Sequence, residues 1–169
     1  MLVLIGLPAA TPSSAAETPT WHAEFFTNPN LSGSPALVRE DAAIDFDWGV
    51  GSPDPAIPAD NFSARWTRTL TLAAGTYRFV TYTDDGVRLY VDGALKIDHF
   101  VPQSPTEWQA DVALAAGDHV IVMEYFEGFG DAAARLSYST IQTDISPGSW
   151  KGEYFTNPNL TGAPLLASS

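Results

Sequence analysis

The stretch Thr81-Tyr82-Thr83-Asp84-Asp85-Gly86-Val87-Arg88-Leu89-Tyr90-Val91-Asp92-Gly93-Ala94-Leu95-Lys96-Ile97-Asp98 decides the fold. Apolar residues alternate at Val87, Leu89 and Val91 and again at Leu95 and Ile97, with Asp92-Gly93 between the runs. Asp-Gly readily supplies the positive φ angles of a tight turn, so Gly86 to Asp98 is predicted to be a β-hairpin. Just before it, a run rich in Tyr77, Phe79, Val80 and Tyr82 must end and reverse at Asp84-Asp85-Gly86. Neighbouring side chains on an extended strand point to opposite faces, so these carboxylates converge only where the backbone is irregular. At ~4 Å they would repel by about 4 kcal/mol at an effective dielectric of about 20, a cost that a bound cation offsets. Hard oxygen ligands suit calcium or magnesium rather than zinc. Asp-Asp-Gly is also an ordinary solvated turn, because all its residues favour turns, and the spacing leaves both readings open.

Working outward, Phe62, Ala64 and Trp66 alternate with Ser63, Arg65 and Thr67, and Leu70 and Leu72 continue the pattern. That is the period of a strand with one buried face. Leu72-Ala73-Ala74-Gly75 and Leu114-Ala115-Ala116-Gly117 are matching turn entries that launch strands at Thr76 to Thr83 and His119 to Phe126. Trp108, Ala110, Val112 and Leu114 mark another half-buried strand, as do Ala134, Leu136 and Tyr138. Gly49 to Asp60 carries Pro53, Pro55 and Pro58 and is expected to be a loop. With no sustained helical period, the expected architecture is all-β, an antiparallel β-sandwich or barrel.

The chain has 169 residues, a formal net charge of −12 and no cysteine. Phosphate neutralisation needs clusters of Lys and Arg, so nucleic acid and anionic membranes are disfavoured as partners. Without Cys, neither disulfides nor thiolate–metal bonds can hold the fold. Met1 to Ala16 runs from Leu-Val-Leu-Ile-Gly-Leu into small residues ending Ser14-Ala15-Ala16, which reads as a truncated signal peptide and points to a secreted, extracellular protein. No other segment approaches the roughly 20 apolar residues of a membrane span. Trp21-His22-Ala23-Glu24-Phe25-Phe26-Thr27-Asn28-Pro29-Asn30-Leu31 returns as Trp150-Lys151-Gly152-Glu153-Tyr154-Phe155-Thr156-Asn157-Pro158-Asn159-Leu160. A period of roughly 130 residues is domain-sized rather than solenoid-sized. The expected organisation is therefore one domain over 17–139, a linker over 140–149, and the first strand of a second, truncated copy over 150–169.

The unit resembles a PA14 domain. The resemblance is carried by Trp21 to Leu31, Asp45-Phe46-Asp47-Trp48-Gly49, Asn61-Phe62-Ser63-Ala64-Arg65-Trp66, Gly75-Thr76-Tyr77, Thr83 through Gly93, and Gly117-Asp118-His119 through Glu124-Tyr125. It implies a non-catalytic extracellular β-module. In carbohydrate-binding members, such as flocculin-like adhesins, two consecutive aspartates joined by a cis peptide hold a calcium ion that binds vicinal sugar hydroxyls. That pair falls on Asp84 and Asp85. Those relatives also use an Asn from a second loop, whereas the matching loop here reads Glu127-Gly128-Phe129-Gly130-Asp131 and has no Asn. Glu127 and Asp131 are the candidate replacements, since calcium accepts six to eight oxygens in flexible geometry. Phe129 is a candidate for stacking on a sugar face, or an aromatic covering the core edge.

The expected ligand set is thus Asp84, Asp85, Glu127 and Asp131 for Ca2+, with Asp84, Asp85 and Phe129 toward a cell-surface glycan or polysaccharide. The alternative is a structural or protein-interaction module contacting neighbouring domains of a larger extracellular protein, with calcium structural or absent. Asp92 is explained by its turn. His22, His99 and His119 lack metal-ligand spacing. An enzyme is not expected: there is no Gly-x-Ser-x-Gly elbow, Cys nucleophile or His-Glu-x-x-His helix. Adjacent aspartates also do not suit glycoside hydrolysis, whose carboxyls stand at least ~5 Å apart on opposite sides of the bond.

Overall fold

The computed structural model describes residues 20–141, together with the backbone of Gly152–Tyr154 and Leu166–Ser168. The signal segment expected at 1–16, most of the expected linker and most of the expected second copy lie outside the described residues. The main body comprises β1 (Trp21–Phe26), β2 (Leu37–Asp41), β3 (Asp45–Gly49), β4 (Phe62–Leu72), β5 (Gly75–Asp84), β6 (Gly86–Val91), β7 (Ala94–His99), β8 (Thr106–Leu114), β9 (Gly117–Glu127) and β10 (Ala132–Ile141). They form a six-stranded sheet in the order β2-β1-β4-β9-β6-β7 and a four-stranded sheet in the order β3-β10-β5-β8. Every pairing in both is antiparallel. No helix among the described residues is long and apolar enough to cross a membrane.

The alternation read from the sequence becomes the core of a β-sandwich. Phe25, Ala64, Trp66, Leu89, Met123 and Tyr125 come from the six-stranded sheet, and Phe79, Ala132 and Ala134 from the four-stranded one, all fully buried. Aromatic rings knit this core: Phe25 meets Trp66 edge-on at 5.6 Å and Phe62 meets Tyr125 at 5.8 Å, geometries worth about 1 kcal/mol each beyond area burial. The Trp66 indole N–H donates to Asp41 Oδ2 at 2.9 Å, so the largest buried side chain leaves no orphaned donor.

The expected hairpin is β6–β7, with Asp92 and Gly93 at φ 51° and 75°. One detail departs from strict alternation. The register shifts between Leu89 and Tyr90, so Leu95 pairs with Tyr90 and is 46% exposed while Ile97 stays buried opposite Leu89. A bulge next to a tight turn flips one residue to the other face, which periodicity alone does not reveal. The proline-rich segment after β3 is a loop, anchored by the buried Ile57.

On the outer face of the six-stranded sheet a row of alternating charge crosses its strands. Arg65 on β4 stands opposite both Glu24 on β1 and Glu124 on β9, at 3.6 and 2.8 Å. Arg88 on β6 continues the row to Glu124 at 3.8 Å and to Asp98 on β7 at 3.1 Å. Beyond the main body, Gly152–Tyr154 pairs antiparallel with Leu166–Ser168, Gly152 facing Ser168. In the main body Ala23 faces Arg39 with the same separation along the chain.

Candidate metal and ligand site

Asp84 is the last residue of β5 and Gly86 the first of β6, so the chain passes from one sheet to the other through Asp85 alone. The Asp84–Asp85 peptide is cis. Gly86 follows because nothing larger fits: a Cβ there would lie 2.2 Å from Phe126 Cε1 and 2.8 Å from the Val101 nitrogen. Asp85 is buried and held on both sides. Its Oδ1 accepts from the Gln103 backbone N–H at 2.9 Å and its Oδ2 from the Gly128 N–H at 2.8 Å. The site is therefore pinched between the β7–β8 connection and the β9–β10 loop.

An open cleft of about 550 Å³ lies here, lined by Asp84, Asp85, Gln103, Phe129 and Asp131 with Pro102 and Pro105 as apolar walls. Burial, then the neighbouring charges of Asp85 and Asp131, push the Asp84 carboxyl above the usual aspartate range. Among the described residues, none of Asp84, Asp85, Glu127 and Asp131 forms an ion pair. Phe129 is 79% exposed at the cleft, so it does not cover the core edge.

Glu127 is placed differently. It is fully buried at the end of β9, beneath the cleft rather than on its lining. Its Oε2 lies 3.1 Å from the Tyr125 hydroxyl, and its Oε1 is buried without a hydrogen-bond partner. The Tyr125 hydroxyl has one hydrogen, and it donates to the Asp84 carbonyl. A proton on Glu127 lets the carboxyl donate to the phenol instead. In keeping with this, burial, followed by the charge of Asp85, raises the Glu127 pKa to about 7. The buried Tyr125 phenol is pushed well above the ordinary tyrosine value by the same surroundings. Among the described residues no group of three or more His, Cys, Asp or Glu side chains is arranged to hold a metal by carboxylates and imidazoles alone.

The structure thus brings Asp84, Asp85, Asp131 and Phe129 to one cleft and sets Glu127 behind it. Sequence reasoning missed Gln103, which reaches Asp85 across 18 positions from an irregular loop and carries no local signature. A second cleft, of about 500 Å³, opens on the outer face of the four-stranded sheet beside Val80 and Tyr82. There Arg135 lies over the Tyr82 ring at 5.2 Å and forms ion pairs with Asp45 and Asp47, so its charge is compensated although its Nε makes no hydrogen bond among the described residues.

An antiparallel sandwich with an aspartate pair in a cleft at the crossing between its sheets has the fold of the carbohydrate-binding-type β-modules. The PA14 domain profile matches residues 18–147, and the chain belongs to the PA14 domain family. It is 44% identical over 130 residues to anti-sigma-I factor RsgI3 of Acetivibrio thermocellus, an alignment covering 75% of this chain and 20% of that protein. A solved anti-sigma factor domain-containing protein superposes with a TM-score of 0.69 at 43% identity, over 72% of this chain and 43% of the other. The chain therefore spans less than half the length of these relatives. The PA14 sugar-binding domain from an RTX adhesin shares the fold, with a TM-score of 0.60 at 18% identity over 73% of this chain and 90% of that one.

Proposed function

We propose that this chain is a secreted, non-catalytic module that binds glycan through a calcium ion held at Asp84 and Asp85. The observation that carries the reading is a cleft where Asp84 and Asp85 meet with Asp131 beside them and, among the described residues, no Lys or Arg paired to any of them. Uncompensated carboxylates in a partly desolvated site favour either a proton or a cation. The donor set fits calcium, being hard oxygen only. Asp84 and Asp85 would be the side-chain ligands, with Asp131 adding negative charge beside them and backbone carbonyls completing the shell. Glu127 would then act from behind the cleft rather than as one of the ligands lining it. When bound, the ion would supply positive charge to polarise and orient vicinal hydroxyls. Phe129 offers an exposed aromatic face beside it for the apolar side of a sugar ring. The family's sugar-binding example is similar in fold, which supports this reading at the level of architecture.

Calorimetric titration of the full chain with calcium tests the site. Binding with a Kd between roughly 10⁻⁷ and 10⁻³ M is expected, with Asp84→Ala and Asp85→Ala each abolishing the heat. Unchanged affinity in Asp84→Ala would sink the assignment. Calcium-dependent retention on insoluble polysaccharide, released by chelator and by a competing free sugar, tests the ligand class.

The similarity to anti-sigma factors favours a second reading, in which the module contacts a protein partner or neighbouring domains of a regulatory chain. Under that reading retention resists free sugar, and binding of envelope proteins survives Asp84→Ala.

A further inference from the structure

We infer that Gln103 is the residue that positions Asp85, and so sets the affinity of the acidic cleft for a divalent cation. The inference rests on the calcium reading above. Gln103 sits in the connection from β7 to β8, between Pro102 and Pro105, and lines the cleft. Its backbone N–H and both polar atoms of its side chain are engaged. Its backbone N–H donates to Asp85 Oδ1 at 2.9 Å. Its side-chain Nε2 donates to the Asp85 carbonyl at 3.1 Å and to Thr83 Oγ1 at 3.2 Å. Its Oε1 accepts from the Trp108 indole at 3.2 Å. Trp108 is itself fixed by stacking on His99, with ring centroids 3.4 Å apart.

A primary amide carries two N–H donors and one acceptor on a planar head. Here both donors face the end of β5 and the acceptor faces the indole. Glu would set an acceptor against the Asp85 carbonyl, and an apolar side chain would leave that carbonyl and the indole N–H without partners. With one N–H on each oxygen, from Gln103 and from Gly128, the Asp85 carboxylate is fixed in orientation. Each of its oxygens keeps acceptor capacity for a cation. The Asp84 carboxylate has no such brace among the described residues, so the preorganisation of the pair depends on Asp85. The same contacts tie the 102–105 wall of the cleft to the cation ligand, and a ligand touching that wall senses whether the ion is present.

The test uses the full chain and calcium alone. Gln103→Met keeps the volume and removes the side-chain hydrogen bonds. The backbone N–H on Asp85 Oδ1 remains, but the loop that presents it loses its side-chain ties to Thr83, the Asp85 carbonyl and Trp108, so calcium binding is expected to weaken by roughly 10-fold, the low end of the effect of losing a group that orients a metal ligand. The melting temperature in chelator is expected to fall as well, because the Asp85 carbonyl and the Trp108 indole lose their partners, so affinities are compared where both proteins are fully folded. Gln109→Met, on the solvent side of β8, is expected to leave affinity unchanged. Trp108→Phe keeps the ring and removes the donor to Gln103 Oε1, and it is expected to weaken binding in the same direction but less. In ¹⁵N spectra of the wild type, the Trp108 indole N–H, assigned by its loss in Trp108→Phe, is expected to shift on calcium addition.

Wild-type affinity in both Gln103→Met and Trp108→Phe would overturn the inference while leaving the calcium reading intact. A static indole resonance in calcium-saturated wild type would overturn it as well. A wild type that binds no calcium overturns the calcium reading, and the role of Gln103 falls with it. Should Gln103→Met fail to fold, Trp108→Phe and the indole resonance decide.

Discussion

Replacing Glu127 by Gln should change how stability depends on pH, and the size of the change follows from where Glu127 sits. The carboxyl is fully buried, and its pKa is raised from 4.5 to about 7 by burial first and Asp85 second. Between those values the folded chain holds a proton that the unfolded chain has released, so unfolding free energy falls as pH rises. At 1.36 kcal/mol per pKa unit the loss totals about 3 kcal/mol, complete once pH exceeds about 7. Gln cannot titrate and escapes it. Its amide nitrogen takes the place of Oε2 to donate to the phenol, and the second N–H it brings there has no acceptor, which costs about 1–2 kcal/mol at every pH. In metal-free buffer, Glu127→Gln should therefore be less stable than wild type near pH 4.5 and more stable by about 2 kcal/mol near pH 8. Urea titrations followed by tryptophan fluorescence at both pH values measure the difference. A wild-type-to-variant gap that is the same at both would mean that Glu127 titrates normally and that the buried carboxyl–phenol contact is misread.

Gly86→Ala must push against Phe126 Cε1 at 2.2 Å, so a loss of about 1–3 kcal/mol is expected in urea unfolding. Gly75→Ala, whose Cβ would meet Tyr77 Cε2 at 3.7 Å, should shift stability by less than about 1 kcal/mol. His119 has acceptors at both ring nitrogens, Asp92 Oδ2 at 2.7 Å and the Ala115 carbonyl at 2.9 Å, and the Ala115 bond followed by the Asp92 bond raises its pKa above 6.5. Its contribution is full below pH 6.5 and is lost as pH climbs through the raised value. His119→Gln should flatten that part of the thermal-stability profile, and an unchanged profile would show that the imidazolium is not favoured in the fold.

The strands were legible because burial imposes a two-residue period, and Phe62-Ser63-Ala64-Arg65-Trp66 displays it without ambiguity. Asp92-Gly93 was legible for a local reason too, since few dipeptides adopt two positive φ angles cheaply. The placement of Asp84 and Asp85 in one cleft with Asp131 and Phe129 followed from the resemblance, not from periodicity. What stayed hidden depends on distant contacts. Glu127 reads as one more loop acid until Tyr125, two residues earlier and on the same face of β9, is seen to draw it inward. Gln103 occupies a segment with no period at all, and only the return of β7 toward the end of β5 gives it meaning. Leu95 was misplaced by one bulge.

The charged row across the six-stranded sheet bears on how the chain avoids folding into the wrong partner alignment. A slip of one residue between β4 and β9 would turn Trp66 and Ala64 to water and is forbidden by burial alone. A slip of two residues keeps every apolar side chain facing inward, so the core is nearly blind to it. The outer face is not. Arg65 would then face Val122 or Phe126 in place of Glu124, and Glu124 would face Thr67 or Ser63. Each of these partly buried pairs contributes only about 1 kcal/mol to stability, yet together they tell apart two alignments that both keep the apolar faces inward. The surface of this sheet works as a ruler for its assembly.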